Sequence, residues 1–192
     1  GLFGYSNGKI KNVNLKNILI DIDKSNINYP YESKYKVYVG AICAHNYSSG
    51  NYDSHGKIVN CTVNGTIIVR NIADCNVGGI TGAFGEINNC INYASINILA
   101  NKTSNDRYPN DNTVNCGGIS GGDFSTISKC INYGNIDAHA GNYIKCGGIS
   151  GDYSNYIGYC INYGDISGQT DSYYTYSMYG PANCVVGGIV GY

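Results

Sequence analysis

Nine cysteines, three histidines and 13 acidic residues are the side chains of this 192-residue chain that could do chemistry. Zinc calls for closely paired ligands such as Cys-x-x-Cys, and no such pair occurs. His45, His55 and His139 stand apart, with neither a His-Glu-x-x-His motif nor a Ser-His-Asp or Cys-His arrangement around them. Glycosidic hydrolysis needs two carboxylates converging on one face. Asp123, Asp137, Asp152 and Asp165 lie near turn-forming residues and share no column beside Arg or Lys, so they read as turn residues bonding their own backbone. Asp123 and Asp152 follow equivalent Gly-Ile-Ser-Gly blocks, and a shared cation is the functional alternative for that pair. The glycine pairs are not phosphate loops, because no Lys-Ser/Thr follows them. These residues assign no catalytic group, no metal and no cofactor.

What places the cysteines is a repeat. Gly79-Ile80-Thr81-Gly82 returns as Gly118-Ile119-Ser120-Gly121, Gly148-Ile149-Ser150-Gly151 and Gly188-Ile189-Val190-Gly191. Gly1-Leu2-Phe3-Gly4 and Gly40-Ala41-Ile42-Cys43 are weaker copies. About ten residues after the block, Cys90-Ile91-Asn92-Tyr93 returns as Cys130-Ile131-Asn132-Tyr133 and Cys160-Ile161-Asn162-Tyr163. Cys61 opens a looser version, and Val13 takes the cysteine position in the first copy. From Leu2 through Ile42, Ile80, Ile119 and Ile149 to Ile189 the steps are about 40, 38, 39, 30 and 40 residues.

Each unit holds three short β-like segments between Gly, Asn and Asp; in one unit these are Cys116 to Ser120, Thr126 to Asn132 and Asn135 to Ala138. No segment carries apolar residues at helical spacing. One unit cannot enclose a core, but stacked units can, because each strand pairs with its equivalent in the next. The sequence therefore predicts an all-β fold: a parallel β-solenoid of about six degenerate 30–40-residue coils, with three short strands per coil. Residues 1–192 read as one solenoid domain excerpted from a longer chain. A β-propeller would show tryptophan-containing signatures, and there is no tryptophan. A leucine-rich repeat would need a Leu-x-x-Leu-x-Leu frame, which is missing.

Stacking assigns the columns. Cys61, Cys90, Cys130 and Cys160 share one, and Cys116 and Cys146 another. The favoured reading is a buried ladder of small side chains. Disulfides are the alternative in an oxidising compartment. Neighbours in one column sit about 4.8 Å apart with parallel Cβ vectors, a poor orientation for a bridge, so any bridge would join different columns. Asn92, Asn132 and Asn162 fall in one column and predict an asparagine ladder. Ile80, Ile119, Ile149 and Ile189 should stack inward, and the glycine pairs should supply positive φ or close approach at a corner.

A net charge of −1, with scattered Lys and Arg, leaves no footprint for nucleic acid and no run suited to an anionic membrane. No apolar run is long enough to insert into one directly. The irregular feature is loop length. The connections at about 23–37, 99–113 and 171–182 are long, and they contain all three prolines, Pro30, Pro109 and Pro181. Equivalent loops project from one solenoid edge, so Tyr29, Tyr31, Tyr108, Tyr173, Tyr174 and Tyr176 are the candidate binding residues. Tyrosine offers large amphipathic area at low entropic cost. The structural alternative is that these loops cover the solenoid edge.

The Gly-Gly-Ile-x-Gly block followed by Ile-x-x-Cys-x-Asn-x-Gly-x-Ile resembles the GLUG repeat family, whose Gly-Leu-hydrophobic-Gly signature Gly1-Leu2-Phe3-Gly4 matches. The resemblance covers nearly the whole chain outside the loops. It implies part of a large secreted or surface-attached microbial protein, adhesin-like or an accessory region of an immunoglobulin A peptidase. The expectation is a non-catalytic extracellular or cell-surface module, continuing into further domains of its parent chain, that presents a binding edge to a host or matrix glycan or protein. The alternatives are a carbohydrate-active β-helix enzyme and a peptidase accessory region.

Overall fold

The computed structural model describes residues 1–23, 36–46, 56–72, 74–100, 113–141, 143–170 and 184–191. Every regular element among them is a strand. The strands pair in parallel, each with its counterpart one coil away, as residues recurring once per coil require. The molecule is a parallel β-solenoid.

Four sheets run along its axis. The first is built on the glycine blocks, pairing Phe3–Tyr5, Cys43–His45 and Thr81–Ala83, and it continues as single bridges from Thr81 through Ser120 and Ser150 to Val190. The second stacks Lys9–Lys11, Lys57–Val59, Glu86–Asn88, Ser125–Ser128 and Ser154–Gly158. The third begins with the long strands Asn14–Asp23 and Thr62–Arg70. It then divides into Ile91–Asn92 with Ser95–Ala100, Ile131–Asn132 with Ile136–Ala140, and Ile161–Asn162 with Ile166–Thr170. The fourth stacks Val37–Gly40, Cys75–Gly78, Thr113–Gly117, Tyr143–Gly147 and Cys184–Gly187.

The three segments expected per unit thus resolve into four ladders, for local reasons. The first segment breaks at Gly117-Gly118. A methyl group on Gly118 would lie 2.3 Å from both Asn132 Cγ and the Gly148 carbonyl oxygen, so the chain turns where only glycine fits. Of the two roles open to the glycine pairs, close approach is the one used here. The second segment breaks at Lys129, whose φ of 53° is left-handed. Asn12, Asn60 and Asn89 hold the same corner in earlier coils at φ of 59°, 55° and 53°, and Tyr159 holds it later at 57°. Asparagine tolerates this conformation better than other residues with a Cβ.

Strand alternation then builds the core. Along Ile136–Ala140 the isoleucine and both alanines point inward, while Asp137 is exposed and His139 half-buried. Ile80, Ile119 and Ile149 are fully buried in one inward column. Each such isoleucine contributes about 1.5–3 kcal/mol by leaving water. Ile189, in the last described coil, is 39% exposed because no described strand lies above it.

Candidate functional site: aromatic rows and the polar ladders beneath them

The corner between the first and second sheets carries a row of rings, one from each successive coil. Tyr5 stacks on His45 with centroids 5.7 Å apart, and His45 meets Phe84 at 4.9 Å. Phe84 lies 6.3 Å from Phe124, and Phe124 lies 5.4 Å from Tyr153. Tyr38 packs edge-on against His45 at 4.9 Å. The spacing follows the coil rise, but the tilts do not repeat: successive interplanar angles are 16°, 53°, 17° and 70°. Tyr5, Phe124 and Tyr153 are each about half exposed. Phe84 and Phe124 sit at φ of 59° and 54°, in the left-handed region. A bulky side chain there is strained by roughly 1–3 kcal/mol, an outlay that clusters at functional sites.

A second row behaves differently. Tyr93, Tyr133 and Tyr163 stack with centroids 4.8 and 5.0 Å apart and planes within 3° and 13° of parallel. Each covers its neighbour's face, so this row presents ring edges and hydroxyls. It stands on the asparagine ladder. Asn92 Nδ2 donates to Asn132 Oδ1 at 2.8 Å, and Asn132 Nδ2 donates to Asn162 Oδ1 at 2.8 Å. Each asparagine also closes its own turn: Asn132 Nδ2 donates to the Gly134 carbonyl and Oδ1 accepts from the Gly134 amide. Asn92 and Asn132 are fully buried, and their amides satisfy backbone groups that water cannot reach.

The cysteine column lies just before this corner. Cys61, Cys90 and Cys130 are fully buried, and Cys160, at the end of the column, is half-buried. All nine thiols are free in the structure. The Sγ atoms of Cys61, Cys90, Cys130 and Cys160 each bond a carbonyl two residues back, that of Val59, Asn88, Ser128 or Gly158. Cys90 and Cys130 interact with each other and with their neighbours in the column, Cys61 and Cys160. Burial opposes ionisation of both. In the fourth sheet, burial pushes Cys75 up to about 12. Seven of the nine thiols are packed away from solvent, while Cys160 is half-buried and Cys184 is exposed.

Asp123 and Asp152 are taken up by protein donors. Asn76 Nδ2 donates to Asp123 Oδ2 at 2.5 Å, and Asn115 Nδ2 donates to Asp152 Oδ2 at 3.1 Å. The Lys145 ammonium lies 2.8 Å from Asp152 Oδ1 and supplies positive charge where a cation was considered. Rather than bonding only their own turns, both carboxylates cap the outward asparagines of the fourth sheet, where Asn76 and Asn115 are fully buried. Among the described residues no group of three His, Cys, Asp or Glu is placed to hold a metal.

Tyr29, Tyr31, Tyr108, Tyr173, Tyr174 and Tyr176, expected to form the binding edge, lie outside the described residues. The row at the first corner was not singled out in the sequence. Its signal is an aromatic ring one to three residues past each glycine block: Tyr5, Phe84, Phe124 and Tyr153. The variable offset hides it, and a histidine takes the ring position after Gly40-Ala41-Ile42-Cys43. His45, which belongs to no column in the sequence, belongs to this one in space. No family model, curated protein or solved structure matches the chain.

Proposed function

We propose that this chain is a non-catalytic structural and adhesive repeat module, held outside the cell, in which a rigid solenoid presents a line of exposed rings to a binding partner. The observation that carries the reading is the row Tyr5, His45, Phe84, Phe124 and Tyr153. Its outer rings are half exposed and two of its members hold a backbone conformation unfavourable to phenylalanine. Neither burial nor local propensity accounts for a half-exposed phenylalanine at φ of 54°. Parallel pairing along four sheets supports the structural half of the proposal, since each coil braces the next. The extracellular setting and the adhesin-like role rest on the resemblance to GLUG repeats. Buried thiols are compatible with an oxidising medium, because a thiol that solvent cannot reach is shielded from exchange.

The reading is tested by coating beads with the protein and measuring retention on glycan-coated and matrix-protein-coated surfaces. Wild-type beads should be retained on at least one surface. A Tyr5→Ala/Phe124→Ala/Tyr153→Ala variant should be released while keeping most of its thermal stability. Equal retention of both proteins would remove the row from the binding role, and no retention of wild type on any surface would remove the adhesive reading.

A further inference from the structure

We propose that Lys145, Asn115 and Asp152 form an isopeptide site, in which Lys145 Nζ condenses with the side-chain amide of Asn115, Asp152 moves the protons, and the new bond staples two successive coils. Three observations place the reactants. Asn115 and Lys145 are directly paired between the parallel strands Thr113–Gly117 and Tyr143–Gly147, so their side chains leave the fourth sheet on the same face. One carboxylate joins them: Lys145 Nζ lies 2.8 Å from Asp152 Oδ1, and Asn115 Nδ2 donates to Asp152 Oδ2 at 3.1 Å. Asn115 is fully buried, and its Oδ1 has no hydrogen-bond partner among the described residues.

The unpartnered oxygen separates this group from a structural ladder. In the Asn92 column, Asn132 accepts from the coil before it and donates to the coil after it. The fourth sheet starts in the same way, with Asn115 Nδ2 donating to Asn76 Oδ1 at 3.0 Å. The next position, from which a ladder donor would reach Asn115 Oδ1, holds Lys145, and its ammonium goes to Asp152 instead. A buried acceptor left without a donor weakens a fold, so stability alone does not explain a lysine in that place. Asp152 is held over the pair from its own turn. Ser150 Oγ donates to its carbonyl at 2.9 Å, and a methyl group on Gly122 would lie 2.7 Å from its Cβ.

The reaction balances without an oxidant or a co-reactant. A lysine attacks only as the neutral amine, and Asp152 Oδ1 is placed to take the first proton from Nζ. The Nζ lone pair then adds to Asn115 Cγ. Asp152 passes its proton to Nδ2 and takes a second from Nζ, the Cγ–Nδ2 bond breaks, and the carbonyl re-forms. One Nζ–Cγ amide bond is made and one ammonia leaves, taking up the proton on Asp152 as it goes. Holding amine, amide and carboxylate together turns an encounter in solution into a unimolecular step.

The preceding coil has the same frame without a nucleophile. Asn76 Nδ2 donates to Asp123 Oδ2 at 2.5 Å, but the residues paired with Asn76 are Asn115 and Tyr38. Asp123 therefore only caps its asparagine, and the covalent bond belongs to the coil pair that brings a lysine. Unlike a disulfide, an amide between coils holds in oxidising and reducing media alike.

The experiment is mass spectrometry of the full chain, folded at neutral pH and then reduced and denatured. Wild type should be lighter than its sequence by one ammonia. Tryptic digestion should give a branched peptide joining the Asn115 and Lys145 segments, with no cleavage after Lys145. Lys145→Arg keeps the charge pair with Asp152, Asp152→Asn removes the proton carrier, and both variants should have full mass and melt at a lower temperature than wild type. Wild type at full mass after prolonged incubation would overturn the proposal. An ammonia loss that persists in Lys145→Arg would place the reaction elsewhere and also overturn it. So would a loss of water with the branch at Asp152, which would mean that the carboxylate and not the amide is the acceptor. The wild-type mass and peptide map decide the matter even where a variant fails to fold.

Discussion

Two rows of rings climb the same solenoid under the same coil rise, and they use it in opposite ways. Tyr93, Tyr133 and Tyr163 are nearly coplanar and stand on buried asparagines that bond from coil to coil. Tyr5, His45, Phe84, Phe124 and Tyr153 alternate stacked and tilted contacts and stand partly on left-handed backbone. The first row follows a fixed tetrapeptide, Cys-Ile-Asn-Tyr, so side chains of one size repeat and stack. The second follows a turn whose length varies by one or two residues from coil to coil, and its rings alternate between near-parallel pairs at 16° and 17° and tilted pairs at 53° and 70°. A repeat that keeps its register builds a scaffold.

The sharpest way to break this contrast is to remove the footing of the stacked row. Asn132→Ala deletes bonds to Asn92, Asn162 and both backbone groups of Gly134. Each buried polar group left unpaired costs about 1–3 kcal/mol. A loss of about 3 kcal/mol or more by chemical denaturation is expected, with binding through the first-corner row intact wherever the protein folds. A loss under about 1 kcal/mol would mean that the asparagines do not carry the corner.

Next in size is the cysteine column beside it. Cys130→Ala should cost about 1–2 kcal/mol through lost packing. Mass spectrometry of unreduced protein should find no Cys90–Cys130 or Cys130–Cys160 bridge. Detecting either would show that the column is a covalent staple, and would undo the account of free packed thiols. Tyr133→Ala should cost about 1 kcal/mol by removing two stacked neighbours, whereas Phe124→Asn should cost nothing in stability. If Phe124→Asn destabilises more than Tyr133→Ala, the roles of the two rows are reversed.

The parts of this architecture that recur once per coil were legible in the sequence. Ile80, Ile119 and Ile149 announced an inward column, and Asn92, Asn132 and Asn162 a ladder, because parallel pairing turns recurrence into contact. The fourth sheet was not visible, since the split at Gly117-Gly118 depends on how closely Asn132 approaches, a contact between residues of different strands. The first-corner row was hidden because offset varies and because His45 does not resemble Phe84. The loop tyrosines were legible as a compositional cluster, which says where variation is tolerated without saying what surface results.

A smaller effect concerns the left-handed corner between the second and third sheets. Asn89 Nδ2 donates to Asn60 Oδ1 at 2.7 Å, while the next coils place Lys129 and Tyr159 at the same conformation. Lys129→Asn should stabilise by about 0.5 kcal/mol, by fitting the backbone and extending the asparagine row. No gain in melting temperature would show that this corner, unlike that of Phe84 and Phe124, is unstrained.

The smallest expected effect uses the one histidine in either row. His45 packs against Tyr5, Tyr38 and Phe84, and burial lowers its pKa from 6.5, with Asp123 opposing the shift. Above pH 6.5 the histidine is neutral in both the folded and the unfolded chain, and its contribution to stability is fully present. As pH falls below that value the unfolded chain takes the proton more readily, so stability is lost progressively until the folded form also protonates. His45→Phe keeps a ring in the row and removes the titration. Denaturation curves at pH 7.5 and pH 5 should therefore show a smaller acid loss in the variant than in wild type. The Tyr93 row contains no such group, so Tyr133→Phe should leave the acid loss unchanged. If His45→Phe and wild type lose the same amount, His45 is open to water in the folded chain, and the row is looser at that coil than its ring contacts imply.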